Sequence, residues 1–315
     1  TLHHFHRRYR QAWRLPEMRL LQANRATYWI LDDHEIVDNW GADPAHSRPD
    51  WQTVGRAARR AFLHYQAGHQ RPIGSELPDS FHHRFTWGDT ATFVTDMRSK
   101  RRRVGDRSVV LGDDQLRDLE RFLAESADAA VLFLVLTVPI MHLPESLTDL
   151  GAAVAGQDSD FADRWEWGPN TVDRDRLLKL LREHQRRHPR QRMVMLSGDI
   201  HVGCALRLEW DDGDVPPIHQ FVSSAVSNVL ERPLGLAVKL VTKLLPRVEL
   251  EGATLGATFL DAGGGNQANP FAGLNVGIVD VIRAEPRARL RFRLLTHPDE
   301  DGGGEPVLAL DTGEI

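Results

Sequence analysis

Cysteine and long apolar runs are scarce in this sequence, and the net charge is small, so several classes of protein are excluded. Cys204 is the one cysteine among 315 residues, so no internal disulfide can form, and the cellular compartment stays open. The 39 basic and 44 acidic residues leave a net charge of -5, which gives no general attraction to nucleic acid or an anionic membrane. No apolar run approaches the ~20 residues of a membrane span. Local sites must therefore carry the function.

What the sequence does contain is an alternation of apolar strands and amphipathic helices. Two short helices are predicted before residue 25, and longer ones over 50–68, 111–126 and 172–187. Strands are predicted at 26–31, as a central buried strand at 129–138, and in the tail, with a loop over 144–171. No linker or repeat divides the chain, so residues 1–315 are predicted to form a single α/β domain.

Two of these predicted strands end in acidic residues and histidine. "TYWIL" is followed by Asp32-Asp33-His34-Glu35, and "RMVML" by Ser197-Gly198-Asp199-Ile200-His201. Ligands of open α/β sheets bind beyond the carboxyl ends of the strands, so the two motifs are predicted to converge on one site.

The spacing within each motif suggests how the side chains are used. If the backbone at Gly-Asp-Ile-His is extended, Asp199 and His201 face the same way and can bind one metal ion. Asp33 and His34 are neighbours that point apart, which suits a metal contact for Asp33 and a substrate contact for His34. Either motif alone is as often a cap or a surface pair, whereas the two together favour a metal site. The rival interpretation, a Ser-His-Asp hydrolase, is set aside because no Gly-x-Ser-x-Gly motif is present.

The two motifs, "WILDDHEIVDNWG" and "LSGDIHVG", resemble those of the alkaline phosphatase D (PhoD-like) metallophosphatase family. "FVTDMRSKR", "LGDDQLRDL" and "DRWEWGPNTVDRDRLL" resemble further family segments in the same order, so the resemblance extends from about Tyr9 to about Leu295. It implies the calcineurin-like metallophosphatase fold, a four-layer α/β/β/α sandwich with two mixed sheets. It also implies a two-metal site at the strand ends.

The resemblance assigns roles to individual residues. His34 is expected to face the phosphate and to assist the leaving group, and Arg98 to bind substrate oxygens, while the later arginines of "RSKRRR" are predicted to be a solvated charge run. Asn39 and Asp163 could equally be turn formers in loops. The metal ligands that the resemblance implies are Asp33, Asn39, Asp163, Asp199 and His201.

These assignments predict a metal-dependent phosphodiesterase or phosphomonoesterase in which two cations activate a water molecule. Oxygen ligands with few imidazoles and no thiolate favour calcium, manganese or iron, and the resemblance implies calcium with iron. The predicted partner is a phosphoester substrate, and the oligomeric state is left open.

One departure from the family pattern is a missing Gly-Asp-x-x-Tyr motif, whose aspartate bridges the two metals in the family and which none of the 31 residues before Asp32 forms. We therefore expect a chain that is N-terminally incomplete, contains the C-terminal two-thirds of the family domain and has little activity alone. The alternative is a degenerate protein that binds phosphate ligands without catalysis.

Overall fold

An eight-stranded mixed sheet is the centre of the protein. The computed structural model describes residues 1–69, 76–156, 159–226, 243–264, 267–297 and 305–315. The strand order in the large sheet is β1-β2-β5-β6-β8-β7-β10-β9, and β2, β5, β6 and β8 run parallel. Its strands are β1 (His83–Trp87), β2 (Thr90–Val94), β5 (Val131–Val135), β6 (Arg192–Ser197), β7 (Cys204–Trp210), β8 (Ile218–Val222), β9 (Arg247–Leu250) and β10 (Ala253–Phe259).

The apolar run at 129–138 forms the central strand β5, as predicted. Its side chains alternate between the two faces of the sheet, and both faces are covered. Leu132 and Leu134 pack in the core on one face, while Val131 belongs to the core on the other. A strand covered on both faces has no position that favours a polar residue, which explains the continuous apolar sequence.

Two amphipathic helices cover one face of the large sheet. Leu119 of α4 and Leu177 of α7 are fully buried in the same core as the sheet residues. The helices are α1 (Leu2–Trp13), α2 (Pro16–Asn24), α3 (Pro49–Tyr65), α4 (Asp113–Glu125), α5 (Glu145–Ala155), α6 (Asp160–Asp163) and α7 (Thr171–Arg187). Among the described residues, no helix combines the length and apolar character that crossing a membrane requires.

A smaller antiparallel sheet packs on the opposite face. It consists of β11 (Val276–Ile282), β12 (Arg289–Thr296) and β13 (Val307–Asp311). A separate short hairpin is formed by β3 (Arg102–Val104) and β4 (Arg107–Val109). Phe221 of the large sheet stacks on Phe292 of the small one, with ring centroids 4.5 Å apart. Helices, large sheet and small sheet thus form, in the described part of the chain, the mixed α/β fold that the sequence predicts.

The prediction of a strand over residues 26–31 is wrong, because these residues belong to no strand. Leu31 is buried in a core with Phe62 of α3, and Tyr28 stacks on Phe85 of β1. The apolar side chains of this segment therefore contact a helix and the edge strand of the sheet without forming a strand, and Leu31 is the residue that is buried there.

The loop predicted over 144–171 is also partly wrong, because α5 and α6 lie within it. Pro144 precedes α5 and Glu145 lies in its first turn, and both residue types favour a helix start. The segment has few large aliphatic residues, but Ala152 and Phe161 pack in a small separate core. This small core gives α5 and α6 a buried face.

Candidate metal and phosphate site

The first part of the site follows the buried Leu31. Residues Asp33–Glu35 form a short 3-10 helix with Asp32 as its N-cap, and the backbone N–H of Asp32 donates to the Glu35 carboxylate at 2.9 Å. The Asp33 side chain accepts from the backbone N–H of His34 at 2.8 Å and from that of Asn39 at 2.7 Å. Asp33 is only 2% exposed. Its carboxylate is thus fixed by its own loop before any ligand binds.

The second part follows β6, one of the parallel strands at the centre of the sheet. The backbone at Asp199 and His201 is left-handed, with φ of 69° and 55°. The prediction of an extended backbone at Gly198-Asp199-Ile200-His201 is therefore wrong. The chain turns sharply around the buried Ile200 instead. Asn39 is left-handed as well, with φ of 54°. Such strain in non-glycine residues collects at functional sites, and here it coincides with three of the predicted ligands.

The two parts meet as predicted. One ligand atom from each of Asp32, Asp33 and Asp199 lies within 4.8 Å of the others, and we call these residues the carboxylate trio. The imidazole of His201 is not a member of that group, while its backbone N–H donates to the Ser224 hydroxyl at 3.0 Å. A metal contact from His201 stays a prediction.

Arg98 connects the trio to Asp163. Its Nε donates to Asp32 at 2.6 Å, and its two terminal nitrogens donate to the two oxygens of Asp163 at 2.6 and 2.8 Å. Arg98 is fully buried, so its guanidinium forms a structural link in this conformation. A contact between Arg98 and phosphate stays a prediction. It would require Arg98 to release Asp32 or Asp163.

Arg101 makes a second contact with Asp163. It donates to the Asp163 carboxylate and, at 2.9 Å, to the backbone carbonyl of Ala162. Arg101 is 4% exposed, so its assignment to a solvated charge run is wrong, whereas Arg102 is exposed as predicted. The role of Asp163 as a metal ligand stays a prediction, since arginines take both of its oxygens.

Arg164 pairs with the third member of the trio. Its Nη1 donates to Asp199 at 2.6 Å, and its side chain is only 8% exposed. The sequence analysis gave no role to Arg164 or Asp32. Arg164 directly follows the predicted ligand Asp163, and Asp32 belongs to the acidic motif, so each had a signal in the sequence.

Burial and charge shift the carboxyl groups in different directions. Burial raises the pKa of Asp32 well above its usual value, and the charge of Arg98 offsets this in part. Burial likewise raises the pKa of Asp199 despite the nearby charge of Arg164. Burial alone would also raise the pKa of Asp163, but the charges of Arg101 and Arg98 lower it below its usual value. Asp32 and Asp199 are therefore costly to ionise, whereas Asp163 is stably ionised.

His34 lies on the solvent side of Asp33. Its side chain is 69% exposed, and Nε2 is 3.7 Å from the Asp38 carboxylate. Asp33, His34 and Asp38 form a second group whose ligand atoms lie within 4.8 Å of one another. The amide of Asn39 donates to Asp160 at 3.3 Å, on the side facing α6. Sequence reasoning missed Asp38, which is four residues after His34 and so had a local signal.

Fold and site together define a mixed α/β protein with buried carboxylates and arginines at the ends of its central strands. The sequence model of the PhoD-like phosphatase family matches residues 1–242, and the chain belongs to that family. A solved structure described as "Structure of PhoD" is similar in fold, with a TM-score of 0.53 and 15% identity. The similarity covers 89% of this chain and 50% of the other, so this chain spans about half the length of that protein. A search of curated proteins found no match.

Proposed function

We propose that this protein is a metal-dependent hydrolase of phosphate esters. The observation that carries the proposal is the close approach of Asp32, Asp33 and Asp199 within 4.8 Å. Carboxylates this close repel one another unless protons or a cation neutralise them. Membership of a phosphatase family supports a phosphoester as the substrate.

The side chains present suit a hard cation. The trio offers only oxygen ligands, which calcium, manganese and iron(III) accept. Asp33 also belongs to the second group, so a second cation could bind between the Asp33 and Asp38 carboxylates while the imidazole of His34 keeps its role toward the substrate. Calcium with iron is the pair we propose, with manganese as the substitute to try first in solution.

The predicted ligands differ in how much support the geometry gives. Asp33 and Asp199 are well supported, and Asn39 is adjacent to them through its backbone N–H on Asp33. His201 follows Asp199 by two residues but is not a member of the trio, so its support comes from the sequence motif. Asp163 needs release from Arg98 and Arg101, so we give it the weakest support among the ligands proposed.

In the proposed reaction, bound cations would activate the attacking water and neutralise charge on the phosphoryl group. The exposed His34 has room to meet a substrate and would give a proton to the leaving oxygen. The backbone contacts to Asp33 hold that carboxylate in place throughout, which is the positioning that phosphoryl transfer depends on.

The alternative is a protein that binds a phosphate ligand without turnover. It is favoured by one observation, the pairing of Asp163 with two arginines, which leaves fewer free carboxylates for a second cation. A binding protein would hold metal and phosphate but would not cleave the ester.

The first experiment measures turnover of a chromogenic phosphodiester and a phosphomonoester with added calcium, manganese or iron. We expect weak, metal-dependent turnover that Asp33→Asn abolishes and that His34→Gln lowers by about 100-fold. The control is Asp114→Asn, which changes an aspartate with a 79% exposed side chain on α4 and should have no effect. Turnover indifferent to Asp33→Asn would remove the proposal, and phosphate binding without turnover would favour the alternative.

A further inference from the structure

Arg164 differs from the other two arginines of the site in the donors it leaves unused. Arg98 donates through all three of its nitrogens, and Arg101 through both terminal nitrogens. Within the described part of the chain, the Arg164 side chain has one hydrogen-bond partner, Asp199, and its Nε is buried without a partner. A guanidinium has five N–H donors, so most of those on Arg164 are available.

The partner of Arg164 is also a member of the trio. A cation held by Asp32, Asp33 and Asp199 and the guanidinium of Arg164 would lie close together at one carboxylate. Like charges repel strongly where water is scarce. Binding of the cation to Asp199 should therefore weaken the Arg164–Asp199 ion pair, and the ion pair should weaken binding of the cation. The Arg164–Asp199 pair is therefore a competitor of cation binding.

We propose that Arg164 changes partners, pairing with Asp199 when no cation is bound and with the phosphate of the ligand when Asp199 holds a cation. This inference rests on the proposed function and deepens it by naming the phosphate-binding residue. A planar guanidinium binds two phosphate oxygens at once, and the spare donors of Arg164 suit that contact. Every nitrogen of Arg98 already donates, and Arg101 leaves only a buried Nε without a partner among the described residues, so a two-nitrogen contact with phosphate would cost either residue a bond that holds α6.

The wild-type protein gives the first test. Isothermal titration with inorganic phosphate should show binding in the presence of Mn²⁺ and at least about 10-fold weaker binding in its absence, since Asp199 then retains Arg164. Equal phosphate affinity with and without Mn²⁺ would overturn the inference.

Variants of Arg164 give the second test. Arg164→Gln should bind Mn²⁺ about 10-fold tighter in competition with a chelating dye, because the competing charge is gone. The same variant saturated with Mn²⁺ should bind phosphate at least about 10-fold more weakly. Arg164→Lys keeps the charge but loses the planar fork, so its Mn²⁺ affinity should stay near wild type while its phosphate affinity falls.

The matched control is Arg174→Gln. Arg174 is also buried, with a side chain 3% exposed, and pairs with Glu145 and Asp175 instead of the trio. It should leave both affinities within about twofold of wild type, so it separates a general loss of buried charge from a site effect. Circular dichroism would verify that each variant is folded.

The outcomes separate this inference from the proposed function. Unchanged or weaker Mn²⁺ binding by Arg164→Gln, or unchanged phosphate binding by either Arg164 variant, would overturn the partner exchange even if the wild type hydrolyses esters. If the Mn²⁺ and phosphate affinities follow the expected pattern but the wild type cleaves no ester, the partner exchange of Arg164 is supported and the hydrolase proposal is wrong.

Discussion

At the scale of single residues, the site is a balance between four buried or half-buried aspartates and three arginines. Asp32 and Asp163 share Arg98, Asp163 also has Arg101, and Asp199 has Arg164. Asp33 is bound by backbone N–H groups and lies 3.8 Å from Arg98. Buried pairs of this kind are weak contributors to stability, but removing one partner leaves a costly unpaired charge.

Glu166 is a buried acid beside this network. One of its oxygens accepts from the backbone N–H groups of His142 and Leu143, and the other has no hydrogen-bond partner among the described residues. Burial raises the pKa of Glu166 to about 7. The folded protein therefore keeps a proton on Glu166 at pH values where the unfolded chain has lost it.

Glu166→Gln should remove a pH dependence from the stability of the fold. With the pKa raised on folding, Glu166 stabilises the fold below its unfolded pKa of ~4.5 and loses that contribution as the pH rises to about 7. The wild type should lose up to about 3 kcal/mol of unfolding free energy across this window relative to the neutral variant. Urea unfolding at pH 5, 6, 7 and 8 would measure it.

The control for this experiment is Glu120→Gln, which changes an exposed glutamate on α4 and should follow the wild-type pH profile. Parallel profiles for the wild type and Glu166→Gln would show that Glu166 is ionised in the folded protein.

At the scale of elements, the site loop is held by helix α3. Trp40 follows the 3-10 helix and is 4% exposed in a core with Ala58 and Phe62 of α3. Gly55 lies where α3 touches the indole, and a Cβ added there would be 2.6 Å from a ring carbon of Trp40. The glycine thus permits a close approach between the helix and the loop that carries Asp33 and Asn39.

We expect Gly55→Ala to destabilise the protein although alanine favours helices. The helix preference is worth about 1 kcal/mol, whereas overpacking against a buried indole costs about 1–3 kcal/mol. Displacement of Trp40 should also weaken Mn²⁺ binding, since Asn39 precedes it directly and donates its backbone N–H to Asp33. Thermal unfolding and dye competition would measure the two effects.

Gly256→Ala is the comparison variant, since nothing lies within 4 Å of a Cβ at that position in β10. It should be neutral or slightly stabilising. A Gly55→Ala protein as stable as Gly256→Ala would show that Trp40 moves aside without cost.

At the scale of the whole molecule, the packing of the small sheet on the large sheet stabilises the strands near Asp199. Phe221 lies in β8, which pairs with β6, the strand that leads to Asp199. Its ring stacks within 1° of parallel on Phe292 of the small sheet, and both residues are at most 2% exposed. The small sheet therefore covers β8, the neighbour of the strand that leads to Asp199.

Phe292→Ala should lower the unfolding free energy by about 3–5 kcal/mol, the usual cost of removing a fully buried phenyl ring. Chemical denaturation would measure the loss, with Trp87→Ala as a control because that side chain is 76% exposed at the hairpin of β1 and β2. A loss below about 1 kcal/mol would mean that the two sheets do not depend on this contact.

The sequence by itself determined the elements whose signals are local. Periodicity predicted α3, α4 and α7, the continuous apolar run predicted β5, and the acidic motifs marked the two loops that meet in the trio. These signals are readable because backbone geometry fixes which neighbouring residues share a face.

Only the tertiary structure decided which polar groups are buried and what they contact. Arg101 and Arg102 are neighbours in one charge run, yet Arg101 is buried against Asp163 because a carboxylate far along the chain lies beside it. Arg164 and Asp199 are 35 residues apart in sequence and pair for the same reason. Residues 26–31 have the pattern of a strand but pair with none, and their side chains contact α3 and β1 instead, because the apolar pattern records side-chain packing and does not by itself specify strand pairing. Long-range contacts set these outcomes, and no local pattern encodes them.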